Sequence, residues 1–253
     1  FPPRRSSDLQ QWIDTELQSC VSEIRGVCVA TRPRPVQDSY MPVFNAGKLV
    51  GSAIATAKGI PFLQTSHQEG HYYAARATAK HLTMDFEPLL FFHLSGGTTE
   101  LHLVEWVGEE VKMTMVSETD DISIGQLVDR IGVAAGLQFP CGAEMDQKAV
   151  DGHLADKLPS FKVKERFNLS GYENYFKALL VKYPDNPEWV YHLLFKDIFM
   201  CLSKVVELAI QQTGVNRVLF AGGVAASKNL ASHLEKWEQK TGYKCYISHS
   251  HYA

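Results

Sequence analysis

Cysteine pairs and long apolar runs are both missing from this chain. The five cysteines are odd in number and widely spaced, and none belongs to a CxxC pair. A disulfide framework and a zinc ribbon are therefore disfavoured, and we expect a cytoplasmic protein. No apolar run approaches the ~18 residues of a membrane span, and no signal peptide is visible in the sequence. We accordingly expect no contact with a membrane.

An excess of basic residues is missing as well. The chain has 25 Lys and Arg against 28 Asp and Glu, which gives a formal net charge of −3 and a pI near 6.4. This balance provides no broad basic surface for nucleic acid, so any RNA contact must be local or shared with a partner. With 253 residues, of which 45% are apolar, the chain can form one large or two small globular domains.

The two ends of the chain lack the patterns expected of a complete protein. Residues 1–9, FPPRRSSDL, include no methionine and no periodic pattern, which makes them candidates for foreign sequence. The other end, YISHSHYA, follows directly on a strand-like run. We therefore expect a fragment with a partial N-terminal lobe over residues 1–87 and a second lobe, truncated at its C-terminus, over residues 88–253.

Hydrophobic periodicity and turn residues predict alternating helices and strands, and hence an α/β fold. A loop is predicted over residues 139–146. Helices are predicted over residues 9–24, 43–59, 67–82, 125–136, 171–181 and 189–213, and again directly after residue 223. Strands are predicted over residues 26–31, 60–66, 88–95, 98–107, 110–118, 217–223 and 243–248.

The segment SHQEGHYY begins one of these predicted helices and contains two histidines. His67 and His71 are four residues apart, so on a helix both rings lie on one face and can reach a single metal ion. Glu69 points elsewhere on that helix. The spacing alone is weak, because metal sites need three or four ligands. Taken by itself, it fits ordinary surface or core histidines better.

The segment SGGTTE lies between two predicted strands. Its paired glycines, Gly96 and Gly97, let backbone amides approach an anion closely. The hydroxyl groups of Ser95, Thr98 and Thr99 add further donors. The segment is therefore a candidate nucleotide-binding turn, although an ordinary hairpin turn explains it equally well.

A second glycine pair, Gly222 and Gly223, lies in AGGVAASKN, between a predicted strand and a predicted helix. Amides and the helix dipole favour a phosphate or a ribose at such a point. One glycine pair would indicate only a turn. Two pairs at strand ends together predict a two-lobed nucleotide-binding cleft.

Candidate ribose ligands follow the first turn. Asp129 lies on the predicted helix of DDISIGQLVDRIG, and Gly142 and Asp146 come shortly after it. A carboxylate and a bare backbone near a nucleoside suit ribose hydroxyl groups. The alternative is a helix N-cap at Asp120 or Asp121, followed by solvated carboxylates.

The ordered set of these motifs resembles one family. The HQEGH pair, SGG, DDISIGQLVDRIG with GLQFPCG, FNLSG and AGGV stand in the order found in the TsaD (Gcp, glycoprotease-like) family. The resemblance covers residues 26–250, and the ordered set is far more specific than any single motif. It implies the actin-like, sugar-kinase-like ATPase fold and synthesis of the tRNA base N6-threonylcarbamoyladenosine.

The resemblance also implies a site and its ligands. It makes His67 and His71 ligands of one divalent metal ion, iron or zinc. It places the Ser95–Thr99 segment beside the transferred group, and an adenine nucleotide (threonylcarbamoyl-AMP, or ATP or ADP) nearby. The implied nucleotide-binding residues are Asp129, Gly142, Asp146, Gly222, Gly223 and Ser227. The implied partners are tRNA and TsaB-like and TsaE-like proteins.

Two departures from the family pattern keep a second interpretation open. Thr98 stands where the family's SGGHT motif has histidine, and Ser227 stands where it has asparagine. The first hypothesis is a metal-dependent threonylcarbamoyltransferase. The second is a non-catalytic, nucleotide-binding scaffold paralogue on the same fold. A peptidase is a weak third interpretation, since HQEGH is not the HExxH of zinc peptidases.

Overall fold

The computed structural model describes residues 15, 21–83, 85–108, 110–152, 154 and 166–248. The chain divides into two compact units, Phe1–His71 and Tyr72–Ala253. The lobes predicted over residues 1–87 and 88–253 stay a prediction, since this division reflects compactness alone. Most of the predicted helix over residues 9–24 lies outside the described residues. A short 3-10 helix, Val21–Glu23, is described there.

In the first unit, one helix packs on two parallel strands. Strand β1 is Val27–Arg32, helix α1 is Phe44–Lys58 and strand β2 is Phe62–Ser66. Helix α1 ends at Gly59, which takes the left-handed conformation that glycine favours, with φ 62°. These three elements confirm the corresponding predictions from the sequence.

In the second unit, the described strands are β3 Leu89–Leu94, β4 Thr99–Val107, β5 Glu110–Thr119, β6 Arg166–Phe167, β7 Arg217–Ala221 and β8 Lys244–Ile247. They form a six-stranded sheet with the order β6-β5-β4-β3-β7-β8. Strands β3, β4 and β5 form an antiparallel meander, whereas β6, β7 and β8 each pair in parallel with a neighbour. Every residue of the central β3 is buried, as expected for a strand covered on both faces.

Helices cover this sheet and form most of the core. The 27-residue helix α6, Pro187–Thr213, has twelve buried residues, the largest number of any described helix, and it packs against the other helices and the sheet. None of the described helices is long and apolar enough to cross a membrane. The remaining helices are α2 His67–Thr78, α3 Ile124–Ala134, α4 Gly142–Lys148, α5 Ser170–Lys182 and α7 Lys228–Thr241.

Two of the sequence-based predictions are wrong in detail. Helix α2 ends at Thr78 and does not continue to residue 82. The predicted loop over residues 139–146 contains the start of α4. This short helix begins where the carboxylate of Asp129 accepts a hydrogen bond from the Cys141 amide at 2.8 Å. Because Asp129 belongs to α3, the stabilising contact is not visible in the local sequence of α4.

Candidate functional site

Helix α2 begins with a capping box. Ser66 Oγ accepts a hydrogen bond from the Glu69 amide at 3.1 Å, and Glu69 Oε2 accepts one from the Ser66 amide at 2.6 Å. The same carboxylate accepts a hydrogen bond from Thr65 Oγ1 at 3.1 Å. This reciprocal pair satisfies amides that the first helical turn leaves without partners. Glu69 is therefore a helix cap that fixes where the two histidines stand.

The rings of His67 and His71 converge on one face of α2. Their Nε2 atoms are 3.1 Å apart and the rings meet edge-on. Two imidazoles that bind one zinc ion tetrahedrally at ~2.0–2.1 Å place their nitrogens about 3.3 Å apart. The pair thus fits a shared divalent ion. Among the described residues, no group of three or more His, Cys, Asp or Glu converges to complete such a site.

The charge state of His71 also suits a metal. Burial, and secondly the neighbouring His67, lower the pKa of His71 below its usual value. A lowered pKa favours the neutral imidazole at neutral pH, which is the form that binds metal ions.

The SGG turn is held together by its own serine. Ser95 donates its amide to the carbonyl of Thr98 at 2.8 Å, and Ser95 Oγ accepts the amides of Gly97 and Thr98 at 3.3 and 3.0 Å. A Cβ atom added to Gly96 or Gly97 would meet no atom within 4 Å. The two glycines therefore leave open space over their backbone, which a ligand could occupy.

The turn rests on the start of α3. Ser123 Oγ donates to the carbonyl of Gly96 at 2.8 Å, and the Ile124 amide donates to Thr99 Oγ1 at 2.9 Å. Gly125 makes this approach possible, since a Cβ there would lie 2.5 Å from the Ser95 carbonyl oxygen. Thr99 therefore anchors the turn to the helix.

The second glycine turn lies beside the first. Strands β3 and β7 are parallel neighbours, so the segments that follow Leu94 and Ala221 leave the same edge of the sheet. The Val224 amide donates to the Leu94 carbonyl at 3.2 Å, which ties the two segments together. The prediction that both glycine pairs lie at strand ends agrees with this geometry. Their binding of a nucleotide stays a prediction.

A pocket of about 630 Å³ in the second unit brings two of the predicted residues together. Gly96 of the first turn and Asp129 of α3 both line it. The lining comprises Gly96, Gln126, Asp129, Arg130, Val133, Ala134, Phe139 and Lys177. The α3 members recur at the three- and four-residue spacing of one helix face, so the periodicity of the sequence could have revealed them.

The cationic side chains of the pocket are paired with a carboxylate that the sequence analysis did not single out. Glu173 of α5 accepts hydrogen bonds from Arg130 Nη1 at 2.8 Å and Lys177 Nζ at 2.6 Å. Lys177, followed by Arg130, lowers the pKa of Glu173. Glu173 and Lys177 are four residues apart on α5, a spacing that the sequence does show, whereas Arg130 lies on another helix and no local pattern links it to Glu173.

Two further predicted residues, Gly142 and Asp146, lie on α4. Gly142 begins that helix, directly after Cys141, whose amide bonds to Asp129. Asp146 lies near its end and hydrogen-bonds to Ser227. Neither Gly142 nor Asp146 is among the residues that line the pocket. The structure thus places Asp129 and Gly96 together, and Asp146 and Ser227 together.

The alternative interpretation, a cap at Asp120 or Asp121 on the helix that follows them, is wrong for that helix. Helix α3 is capped by Ser123, whose side chain accepts the Gln126 amide at 3.1 Å. The carboxylate of Asp121 instead accepts the amides of Leu169 and Ser170, both at 2.9 Å, at the start of α5. Asp121 is therefore a structural cap.

Solved structures with the same arrangement show which fold this is. Full-length HypF, in its phosphate- and nucleotide-bound form, matches with a TM-score of 0.69 and 10% identity, covering 96% of this chain and 47% of HypF. HypF of T. kodakarensis matches with a TM-score of 0.68 and 10% identity, covering 97% of this chain and 41% of that one. At this identity the likeness shows the fold alone. The chain is an α/β protein with the actin-like ATPase fold, as predicted.

The sequence comparison identifies the family. Residues 17–253 match the TsaD family, described as tRNA N6-adenosine threonylcarbamoyltransferase, and the chain belongs to this family. A protein of that name from Streptococcus suis (strain 05ZYH33) is 30% identical over 235 residues, covering 86% of this chain and 67% of the relative. One from Christiangramia forsetii is 29% identical over 222 residues, covering 81% and 64%. The chain spans about two thirds of the length of these relatives.

Proposed function

We propose that the protein transfers a threonylcarbamoyl group from threonylcarbamoyl-AMP to the adenosine next to the anticodon of tRNA, in the cytoplasm. The observation that supports this most directly is the pocket that unites Gly96 and Asp129 in a chain of the TsaD family. In this reaction the adenine amino group attacks the carbamoyl carbon, a C–N bond forms, the C–O bond to AMP breaks, and the amino group loses a proton.

The residues of the chain would bind and orient the donor. The open backbone of Gly96 and Gly97 can face the phosphate and the carbamoyl group, and Asp129 can accept a hydrogen bond from a ribose hydroxyl group. His67 and His71 would hold one iron or zinc ion, which would supply Lewis-acid polarisation of the carbamoyl carbonyl. On this mechanism no nucleophile from the protein is required.

Adenine nucleotide binding is the first step to test. Asp129→Asn keeps an oxygen that can accept the Cys141 amide but removes the charge offered to a ribose. We expect adenosine and AMP to bind more weakly by about 1–3 kcal/mol, measured by calorimetry. Asp120→Asn is the matched control, since Asp120 pairs with Arg166 and does not line the pocket. Equal affinity for both variants would reject the proposed nucleoside site.

Transfer itself is tested by incubating the protein with threonylcarbamoyl-AMP, tRNA and a candidate metal, and analysing the nucleosides by mass spectrometry. Modified adenosine and released AMP are expected in equal amounts. The alternative, a non-catalytic scaffold, is favoured by Thr98 and Ser227, which replace the family's histidine and asparagine. Nucleotide binding without modified adenosine, in the presence of the partner proteins, would support the scaffold.

We propose a TsaB-like protein as the partner of the first unit. A TsaE-like protein is a further candidate, for which no particular surface of the chain can be named. Apolar side chains of α1 and the segment before it are exposed, namely Tyr40, Val43, Leu49, Val50 and Ile54. Exposed apolar clusters of this kind are typical of protein interfaces.

Leu49→Asp should abolish a complex with a purified TsaB-like protein in size-exclusion chromatography. Val181→Asp, at an exposed apolar position of α5, should leave it intact.

A further inference from the structure

A second cavity lies beside helix α6 in the second unit. Its volume is about 300 Å³, and among the described residues it shares no lining residue with the pocket of about 630 Å³. One wall is a face of α6 whose members recur at three- and four-residue spacing, namely Trp189, His192, Leu193 and Lys196. The other wall is the segment after α4, with Asp151, Gly152 and Leu154. A concave site of this size can hold a small organic molecule.

Backbone contacts hold the two walls of this cavity together. The Val150 amide donates to the Glu188 carbonyl at 3.2 Å, which ties the segment after α4 to the first turn of α6. Gly152 lies directly against the indole ring, since a Cβ atom there would be 2.1 Å from Trp189 Cγ. A side chain at this position would displace the ring. The shape of the cavity therefore depends on a glycine and a tryptophan that fit each other.

Two side chains of the α6 wall offer hydrogen-bond donors that the protein itself does not use. Within the described part of the chain, neither the ammonium group of Lys196 nor a ring nitrogen of His192 forms a hydrogen bond or an ion pair. Lys196 is exposed, and His192 is half-buried. Because the two residues are four apart on α6, both groups lie on one helix face and can reach the two oxygens of one oxyanion.

The charges around these donors decide which anion fits. Asp151 lines the same cavity, and its negative charge repels further negative charge on a ligand. A phosphate dianion is therefore disfavoured relative to a carboxylate, whose single charge Lys196 can neutralise. The side chains of Leu154, Leu193 and Trp189 offer an apolar surface to an alkyl or aryl group.

We propose that this cavity is a second ligand site, which binds a small organic carboxylate through Lys196 and His192 and packs its apolar body against Trp189 and Leu193. The inference does not depend on the proposed function, because none of these residues takes part in binding the threonylcarbamoyl donor or the metal ion. Asp151 sets the charge that the site accepts.

Binding should depend on pH through His192. Burial lowers the pKa of His192, and the charge of Asp151 partly offsets this effect. His233 and Lys196, the other ionisable groups that act on the ring, lower its pKa further. A bound carboxylate places a negative charge beside the ring and favours its protonated form. The affinity for a carboxylate should therefore rise as the pH falls through the pKa of His192, and it should be constant above that pKa.

The test uses three probes that differ in charge. They are butyrate, n-butylamine, which carries a positive charge on a similar alkyl chain, and inorganic phosphate. Each is titrated into the protein while NMR follows the indole N–H of Trp189 and the ring C–H signals of His192, assigned from Trp189→Phe and His192→Gln. We expect butyrate to shift both signals to saturation and to bind at least about fivefold more tightly than phosphate. n-Butylamine should shift neither signal.

Variants of the donors show whether the probe binds where we propose. Lys196→Met keeps a long side chain without the charge, and it should weaken butyrate binding at least about fivefold. Because Lys196 is exposed, this variant is expected to fold. Lys236→Met, at an exposed lysine of α7 that does not line the cavity, is the matched control and should bind butyrate as the wild type does. In His192→Gln, which keeps a donor, the affinity should no longer rise at acidic pH.

Several results would overturn the proposal. These are the absence of a saturable shift with butyrate, equal affinities in the two lysine variants, and tighter binding of phosphate or n-butylamine than of butyrate. Asp151→Asn tests the charge argument separately, since it should raise the affinity for phosphate towards that for butyrate. An unchanged affinity for phosphate in that variant would contradict the role of Asp151 in selecting the ligand.

Discussion

Gly222 and Leu94 approach each other so closely that a single added Cβ on Gly222 would lie 2.2 Å from the Leu94 carbonyl oxygen. The contact joins the ends of the parallel strands β7 and β3, where both glycine turns leave the sheet. It is a contact between backbones, so no side-chain rotation can relieve it. The positive φ of 101° at Gly222 adds a second restriction to the same position.

We therefore predict that Gly222→Ala lowers the free energy of unfolding by about 3 kcal/mol or more, from backbone strain and the clash with Leu94. Gly223→Ala is the matched control, because a Cβ there would meet no atom within 4 Å. That variant should lose at most about 1 kcal/mol. Urea denaturation followed by circular dichroism measures both. Equal losses for the two variants would show that the contact with Leu94 is not limiting.

The paired histidines give a prediction about metal content. Replacing both His67 and His71 by alanine should remove bound iron or zinc, measured by elemental analysis after dialysis against buffered metal. The Nε2 atoms are 3.1 Å apart, which suits a single shared ion. His192→Ala, in the second unit, is the control and should retain the metal. Stoichiometric metal in the double variant would make the pair ordinary surface residues.

The capping box gives a prediction that separates stability from metal binding. Glu69→Ala should lower the free energy of unfolding by about 1 kcal/mol, since the Ser66 amide loses its acceptor. Glu69→Gln should lose less, because glutamine also serves at this position of a capping box. Metal content should be the same in both, as the carboxylate faces Ser66 and Thr65. A loss of metal in Glu69→Gln would instead make Glu69 part of the metal site.

The fold was largely predictable because its strands and long helices carry local patterns. The antiparallel strands β3 and β4 showed as apolar runs on either side of Gly96 and Gly97, and α1 ended at the predicted glycine. Helix α4 was missed for a physical reason. It has seven residues, it begins with glycine, and the amide of Cys141 directly before it is bound by Asp129 from another helix.

The candidate site was predictable only in part, because several of its contacts also join residues that are distant in sequence. Asp129 and Gly96 could be placed near each other from their motifs, and the pocket includes both. Glu173 accepts hydrogen bonds from the two cationic side chains of the pocket, Arg130 and Lys177. It is 43 residues from Arg130 in sequence and belongs to no motif. Asp146 was expected to bind a nucleotide, which stays a prediction, and its hydrogen bonds to residues 81 to 83 positions further along the chain could not be foreseen from the sequence. Side chains that bind other elements of the protein cannot be told from ligand-binding ones by sequence spacing.

Asp197 on α6 is a buried carboxylate with an unusual environment. Its side chain is about 1% exposed, and within the described part of the chain neither oxygen has a hydrogen-bond partner. Burial raises the pKa of Asp197 to about 7, and the positive charge of Lys204 lowers it only partly. The other titratable groups that interact with it are Tyr172 on α5 and Cys201 on α6, and Asp197 raises the pKa of both, after burial. The acid form of Asp197 is thus favoured in the folded protein.

This environment predicts how stability depends on pH. Between the ordinary aspartate pKa of 3.8 and the folded value of about 7, the folded protein keeps a proton that the unfolded chain has lost. Stability from this group therefore falls as pH rises through that window, by about 1.4 kcal/mol per unit, and does not change further above it. The side chain of Asp197→Asn cannot ionise, so this variant does not lose that stability. The difference between its free energy of unfolding and that of the wild type should therefore grow from pH 4 to pH 7 and then level off. Urea denaturation of both proteins at half-unit steps of pH measures this difference, and parallel curves would show that Asp197 is ionised in the folded protein.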